Sequence, residues 1–287
     1  MIVHCLWIGG RLSALERLAL ASHVRVGHAC RLWVYEPVDN VPPGIAVDDA
    51  GAILPRDRIF TYRHGPGKGS VAAFANLFRY KLLCRLGGWW CDTDVVCLKP
   101  FDFPGDCVFA SERTPQGVQE RTCSETRERL RWSSRFSVPS RDEQSPGTLK
   151  RELQPRARSC TPEGVQVNNC VIKAPPESPV LRYCLKAAER RDPASLNWGD
   201  TGPRLLTEAV RRFGLDAAVA PPETFCPVHF FDAAAVLDRP ADLRSPPLRH
   251  AHAVHLWHEL WRRHGWDKDA TYPGHCLYET LKRLVLG

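Results

Sequence analysis

The sequence has little of what marks an exported or membrane-spanning protein. No stretch of about 18 apolar residues occurs, so we expect no membrane-spanning helix. The first apolar segment, residues 2–8, has no basic residues before it and runs into Gly-Gly-Arg, which predicts a β-strand rather than a signal peptide. No two of the 12 cysteines form a Cys-x-x-Cys pair, which predicts reduced thiols and no zinc cluster. We therefore expect a cytoplasmic protein, either free or associated peripherally with the inner face of a membrane.

The composition is typical of a globular protein but does not indicate which class of partner the chain binds. Hydrophobic residues make up 44% and charged residues 25% of the 287 residues, which is ordinary for a folded domain. The net charge of +7 suits an anionic small molecule, a nucleic acid or an anionic membrane surface. We find no internal repeat.

Strand-like and helix-like segments alternate along the chain, which predicts an α/β fold with a mostly parallel central sheet. A helix after Ser70 has an apolar stripe and ends at Gly87. The other predicted strands are 2–8, 31–35, 165–172 and 253–257, and the other predicted helices are 13–23, 179–190, 203–212 and 275–285.

One segment interrupts this pattern. Residues 112–163 are rich in Arg, Ser, Thr, Gln, Glu and Pro and have few large apolar side chains, so they cannot build a core. We expect one domain over residues 1–287 with a disordered or mobile insertion at 112–163. The alternative is a lid or an acceptor-binding loop.

The most informative motif is Asp92-Thr93-Asp94, which lies between apolar residues and follows Gly87-Gly88. A buried carboxylate needs a compensating cation. Residues i and i+2 of a strand point to the same face, so both carboxylates can reach one Mn2+ or Mg2+. The alternative is a strand that ends in a solvated, Asp-rich turn.

Several motifs in the same order resemble those of the D-x-D glycosyltransferases. More narrowly, they are similar to bacterial members of glycosyltransferase family 32, the group with mannosyl- and α-1,4-galactosyltransferases and capsular polysaccharide enzymes. The resemblance implies a GT-A fold, a nucleotide-sugar donor, a divalent metal and retention of anomeric configuration. The motifs are Trp7-Ile8-Gly9, Phe74 to Tyr80, Gly87 to Asp94, Asn168-Asn169, Gly199 to Pro203 and His255-Leu256-Trp257.

The resemblance also implies roles for individual residues. Asp94 is the expected direct metal ligand, and Asp92 faces the ribose, the sugar or the metal through water. His255 supplies a third metal contact or a donor to the diphosphate. Asp200 is a candidate catalytic residue together with Asp92 and Asp94, and would orient the donor sugar or the acceptor hydroxyl. The alternative is that Asp200 caps the helix that begins near Pro203.

The remaining candidate residues would bind the donor. Trp7 at the end of the first strand can stack on the base, and Asn76 and Arg79 share one helix face. Related toxin glucosyltransferases carry Asp where Asn76 stands, so the chain departs from their pattern there. Asn169, His255 and Trp261 complete the expected donor-binding set.

Two other functions fit parts of the sequence. Asp92-Thr93-Asp94-Val95-Val96 resembles the nucleophile loop of haloacid-dehalogenase-like phosphohydrolases, although that loop normally follows the first strand. A non-catalytic nucleotide-sugar-binding protein is the third possibility. We expect a UDP-sugar in preference to a GDP-sugar, a glycan or lipid-linked acceptor in bacterial surface polysaccharide synthesis, and no nucleic acid, since the basic insertion has few aromatic residues for base stacking.

Overall fold

The computed structural model describes residues 1–114 and 164–287. In these residues strands and helices alternate along much of the chain. The strands are β1 (Ile2–Trp7), β2 (Ala29–Val34), β3 (Ile45–Asp49), β4 (Gly88–Cys91), β5 (Val95–Cys97), β6 (Val108–Arg113), β7 (Val165–Ala174) and β8 (Ala253–His255). The helices are α1 (Ala14–Arg25), α2 (Ala72–Leu86), α3 (Pro179–Glu189), α4 (Pro203–Arg212), α5 (Pro222–Phe225), α6 (Ala235–Asp238), α7 (His258–His264) and α8 (Leu277–Val285).

Six strands form the central sheet in the order β3-β2-β1-β4-β7-β6. The pairs of β1 with β2, β2 with β3 and β1 with β4 are parallel, whereas β7 runs antiparallel to both β4 and β6. The predicted α/β class with a mostly parallel sheet is confirmed. β5 and β8 pair in a separate two-stranded sheet.

Apolar residues cover both faces of the central sheet because neighbouring strand residues point to opposite sides. Leu6 and Trp90 pack in the core on one face, together with α2, α3 and α4. Cys5 and Trp89 pack in the core on the other face. Of the helices in the described residues, none has both the length and the apolar character needed to cross a membrane.

Two glycines carry the chain from α2 into β4. Gly87 ends the helix with a φ of 64°, and Gly88 follows with a φ of 96°, a backbone conformation that side chains disfavour. A Cβ on Gly88 would also lie 2.9 Å from the Ile2 carbonyl oxygen. Glycine here therefore lets β4 begin directly beside β1, and the predicted end of the helix at Gly87 is confirmed.

The D-x-D motif itself differs from the prediction. It does not lie within a strand: β4 ends at Cys91, β5 begins at Val95, and the intervening turn is closed by the Val95 N–H donating to the Asp92 carbonyl at 3.1 Å. The chain changes from one sheet to another at this point, so the ladder cannot continue through both aspartates. The prediction that Asp92 and Asp94 lie close together because residues i and i+2 of a strand share a face therefore used the wrong argument.

The predicted insertion also begins too early. β6 continues to Arg113 and pairs with β7, with Glu112 opposite Gln166. Glu112 and Arg113 therefore belong to the central sheet. The rest of the predicted insertion, residues 115–163, lies outside the described residues, and its disorder stays a prediction.

Candidate functional site

A pocket of about 490 Å³ lies at the carboxyl ends of β1 and β4. Open α/β sheets bind ligands where strand order reverses, and β1 and β4 flank that reversal. Trp7 lines the pocket from the end of β1, and Asp92 and Asp94 line it from the turn after β4. The topology thus brings together three residues that the sequence predicted at the site.

Asp92 is held by a buried cation. Arg79 Nη1 lies 2.9 Å from Asp92 Oδ1, and the indole N–H of Trp90 donates to the same oxygen at 2.8 Å. The Arg79 guanidinium stacks over the Trp90 ring, with Cζ 4.8 Å from the ring centroid, and donates to the Asn169 carbonyl. Arg79 is therefore engaged by protein groups, and its first effect is to orient Asp92.

A buried amide pair joins α2 to β7 and to the turn before α4. The Asn169 side-chain amide donates to Asn76 Oδ1, and Asn76 Nδ2 donates to Thr201 Oγ1 at 3.3 Å. A Cβ on Gly202 would lie 2.9 Å from Asn76 Nδ2, so glycine is needed for this close approach. The predicted donor-binding residues Asn76 and Asn169 thus line the pocket while holding three elements together.

The pairing of β5 with β8 brings Asp94 next to His255. β5 and β8 pair antiparallel with Val95 opposite His255. His255 Nε2 lies 3.1 Å from Asp94 Oδ2, and the His258 N–H donates to that oxygen at 2.7 Å. The intervening Trp257 has a φ of 58°, a strained conformation for a bulky residue that turns the chain from β8 into α7.

The pKa values of Asp92 and Asp94 are shifted in opposite directions. Burial raises the pKa of Asp92 above its ordinary value, against the attraction of Arg79. Burial would also raise the pKa of Asp94, but the charge and hydrogen bond of His255 outweigh it and hold that pKa well below its usual range. Burial would lower the pKa of His255, yet the neighbouring Asp94 charge holds it well above the ordinary value. Without metal, His255 and Asp94 are therefore an ion pair.

The donor atoms suit a divalent ion. Asp92, Asp94 and His255 each offer one ligand atom, and these atoms lie within 4.8 Å of one another. Two carboxylate oxygens and one imidazole nitrogen are appropriate ligands for Mn2+ or Mg2+. Cys170 and Cys226 form a second group with His255, on the side of its Nδ1, but neither thiol lines the pocket. The oxygen-rich group is the one that a ligand in the pocket can reach.

Trp7 lies against a histidine and a lysine. Its ring is nearly parallel to that of His258, at 27° with 6.4 Å between centroids, and Lys268 Nζ lies 5.7 Å from the Trp7 ring centroid. Its Nε1 is buried and has no hydrogen-bond partner among the described residues. An aromatic ring fixed at a pocket wall with a cation nearby can stack on a nucleobase.

Two predicted residues do not reach the pocket. Trp261 is 1% exposed and packs in the core with Tyr278, while its indole N–H donates to the Leu256 carbonyl at 2.7 Å. Asp200 accepts from the Asn197 N–H at 2.9 Å and lies 3.3 Å from Arg204 Nη1. Asp200 therefore does not cap α4, whose N-cap is Gly202 without a side-chain cap hydrogen bond, and its catalytic role stays a prediction.

The pocket also contains residues that the sequence did not indicate. Glu112 and Gln166 line it from β6 and β7, and Trp198 and Phe231 add aromatic surface. Glu112 was assigned to the insertion on composition, although the apolar segment Val108-Phe109-Ala110 shortly before it favours a strand.

Of the comparisons with known proteins, the match to a family model bears on this site. Residues 59–114 match the family model described as a glycosyltransferase sugar-binding region containing a DXD motif. No curated protein matches the chain. Among solved structures, the PaToxG glycosyltransferase is similar, with 15% identity over 75% of this chain and 71% of that chain and a TM-score of 0.43.

The family match spans α2, the D-x-D turn and β6, which contribute Arg79, Asp92 and Asp94 to the pocket. Membership of family 32 goes beyond this match and stays a prediction. At the level that the match supports, the prediction from the motifs is confirmed: residues 59–114 match a D-x-D glycosyltransferase region, and the motif in this region is Asp92-Thr93-Asp94.

Proposed function

We propose that the chain is a metal-dependent, retaining hexosyltransferase that moves a sugar from a nucleotide-sugar donor to a glycan or lipid-linked acceptor. The observation that carries the proposal is the meeting of Asp92, Asp94 and His255 in one pocket with Trp7. Retention is supported by the motif resemblance.

Asp94, Asp92 and His255 would hold Mn2+ or Mg2+. A bound divalent ion stabilises the negative charge that develops on a diphosphate leaving group, as a Lewis acid. Arg79 holds the Asp92 carboxylate in place through their 2.9 Å ion pair. His255 must lose its proton before Nε2 can serve as a ligand, and Asp94 must exchange its contact with His255 for the ion.

The other pocket residues orient the donor. Trp7 presents its ring for stacking on the base, and its buried Nε1 offers one hydrogen bond. Asn76 and Asn169 fix the wall between α2 and β7. We also propose a UDP-sugar as donor in preference to a GDP-sugar, and a role in bacterial surface polysaccharide synthesis with the basic chain associated peripherally with the membrane. These finer assignments are supported by the motif resemblance and the net charge of +7.

Calorimetry of UDP and GDP binding tests the metal requirement. We expect binding with Mn2+ or Mg2+ and a loss of most of the affinity with a chelator, because no divalent ion would then offset the repulsion between the diphosphate and the two carboxylates. Asp94→Asn should lose the metal effect. Asp39→Asn, at an exposed aspartate outside the pocket, is the matched control. Equal affinity with chelator and with metal would contradict the proposal.

Product analysis separates the alternatives. A glycosyltransferase incubated with nucleotide sugars and Mn2+ releases the nucleoside diphosphate as it transfers or hydrolyses the sugar. A phosphohydrolase releases inorganic phosphate from a phosphate monoester such as a sugar phosphate, which is the second substrate of the assay, and a non-catalytic binding protein releases neither product. Release of inorganic phosphate alone would replace the proposed reaction with the first alternative.

A further inference from the structure

Glu112 is a carboxylate of the pocket wall that forms no ion pair with the Lys, Arg or His side chains of the described residues. The other carboxylates that line the pocket have cationic neighbours: Asp92 has Arg79, Asp94 has His255, and Glu259 has Arg262. A buried carboxylate without a cation is costly unless hydrogen bonds satisfy it. Glu112 is therefore a group whose placement needs an explanation.

Two amides hold the Glu112 carboxylate. Gln166 Nε2 donates to Oε1 at 2.7 Å, and Asn168 Nδ2 donates to Oε2 at 2.8 Å. Asn168 cannot turn its amide freely, because its Oδ1 accepts from the Cys170 N–H at 2.7 Å. Each carboxylate oxygen thus has one fixed donor and keeps capacity for another.

The neighbouring arginine does not neutralise this carboxylate. Arg113 is the next residue of β6, but its guanidinium pairs with Glu223. Successive strand residues point to opposite faces, which separates the two side chains. Burial raises the pKa of Glu112 while the bonds from Gln166 and Asn168 oppose that rise, so the carboxylate gains from any further hydrogen-bond donor that enters the pocket.

The order of strands places Glu112 at one end of the pocket. Along the edge of the sheet, Trp7 stands at β1, Asp92 follows β4, Asn168 lies in β7, and Glu112 lies in β6. Adjacent strands are about 4.8 Å apart, so β6 is roughly 10 Å beyond β4, on the side away from Trp7. If the base lies at Trp7 and the diphosphate at the aspartates, the sugar extends toward Glu112.

We propose that Glu112, held by Gln166 and Asn168, accepts hydrogen bonds from hydroxyl groups of the transferred sugar and selects the donor by them. This inference rests on the proposed function. A carboxylate with two free acceptor positions matches the hydroxyl groups of a hexose, which are donors on adjacent ring carbons. A donor that lacks the contacted hydroxyl leaves the carboxylate without its added partner and is disfavoured.

Glu112→Gln tests this assignment because it keeps the size of the side chain and removes its charge. The assay uses UDP-glucose, UDP-galactose and each monodeoxy analogue of the better of these two donors. We expect the substitution to lower kcat/KM of the better donor by about 10- to 100-fold. The wild-type protein should prefer that donor over one of its deoxy analogues. In the Glu112→Gln variant this preference should be smaller by a similar factor, because the analogue has already lost the contact with Glu112. Binding of UDP with Mn2+ should change by less than about twofold. Glu189→Gln, at an exposed glutamate of α3, is the matched control.

The outcomes separate the two proposals. An equal loss for all donors, or an unchanged preference, would overturn the role of Glu112 while leaving the transferase assignment intact. A wild-type protein that binds no UDP and releases none from these donors would overturn the proposed function, and this inference with it. Glu112→Asp, which keeps the charge but shortens the reach, guards against misfolding of the glutamine variant: a folded aspartate variant with wild-type preference would also contradict the assignment.

Discussion

Asp92 and Asp94 are separated by a single residue, yet each is paired with a different kind of cation. Asp92 contacts Arg79, which stays charged at all physiological pH values, whereas Asp94 contacts His255, which can release its proton. The Arg79 pair therefore does not open by loss of a proton. The His255 pair can open in this way, and in the proposed function both of its partners then become metal ligands, so we distinguish Asp92 as the fixed carboxylate from Asp94 as the exchangeable carboxylate.

The largest expected effect comes from removing the exchangeable charge. Asp94→Asn keeps the hydrogen bond from the His258 N–H but loses a metal ligand, so metal-dependent turnover should fall on the order of 1000-fold, the loss expected from several kcal/mol of transition-state stabilisation. Steady-state release of UDP from the best donor measures it. Turnover near the wild-type rate would show that Asp94 is not the metal-holding partner.

The stability effect of the two aspartates should have the same order. Asp94→Asn removes the carboxylate whose pKa His255 holds well below its usual range, so it should lower the free energy of unfolding by about 3 kcal/mol. Asp92→Asn should cost less, because burial already disfavours the charged form of Asp92 and the attraction of Arg79 offsets this only in part. Urea unfolding in the presence of chelator gives both values.

A double variant sharpens this contrast. Replacing Arg79 with methionine in the Asp92→Asn background removes the unpaired cation, so the double variant should recover part of the lost stability. If Asp94→Asn proves no more destabilising than Asp92→Asn, the expected order is wrong.

The smallest effect is on pH dependence. The neighbouring Asp94 raises the pKa of His255 in the metal-free protein. The ion pair of His255 with Asp94 therefore stabilises the fold fully below the unfolded-state pKa of about 6.5. This contribution is lost as the pH rises through the raised pKa of the folded state. Metal binding requires the deprotonated ring and should strengthen with pH, by at most about tenfold per unit, until that raised pKa is passed.

Mn2+ titrations between about pH 6 and pH 8 measure this slope. In two buffers with different ionisation enthalpies, calorimetry should also detect a proton released on binding. His255→Gln, which keeps a possible oxygen ligand without a titratable group, should flatten the slope. A wild-type affinity that is independent of pH would indicate that His255 is already neutral or does not bind the ion.

The parts of the fold that the sequence predicts have local signals. The apolar stripe of α2 and the Gly87-Gly88 break depend on neighbouring residues, so both were found with near-correct bounds. Glu112 was missed because the composition of a long polar segment obscured the last residues of β6. Trp261 was misjudged because the left-handed Trp257 changes the direction of the chain, and the two tryptophans then face different environments.

Contacts between distant segments could not be predicted in the same way. The hydrogen bond between Asn169 and Asn76 and the contact between Asp94 and His255 depend on which strands are neighbours in the sheets. The motifs indicated that these residues belong to one site, but only the topology determines which atoms meet. The same reason explains why Cys170 and Cys226 lie together although their spacing predicts no cluster.

The separation along the chain of the two aspartate pairs bears on the order in which the site assembles. Arg79 and Asp92 lie in the adjoining α2 and β4 region, whereas Asp94 and His255 are 161 positions apart. Loop-closure entropy makes the longer connection more costly by roughly 2 kcal/mol. During synthesis, Arg79 and Asp92 can meet long before β8 exists. In the proposed metal site, affinity for the ion would therefore be acquired only when the C-terminal part of the chain has folded, and a metal-binding measurement would report completion of the whole domain.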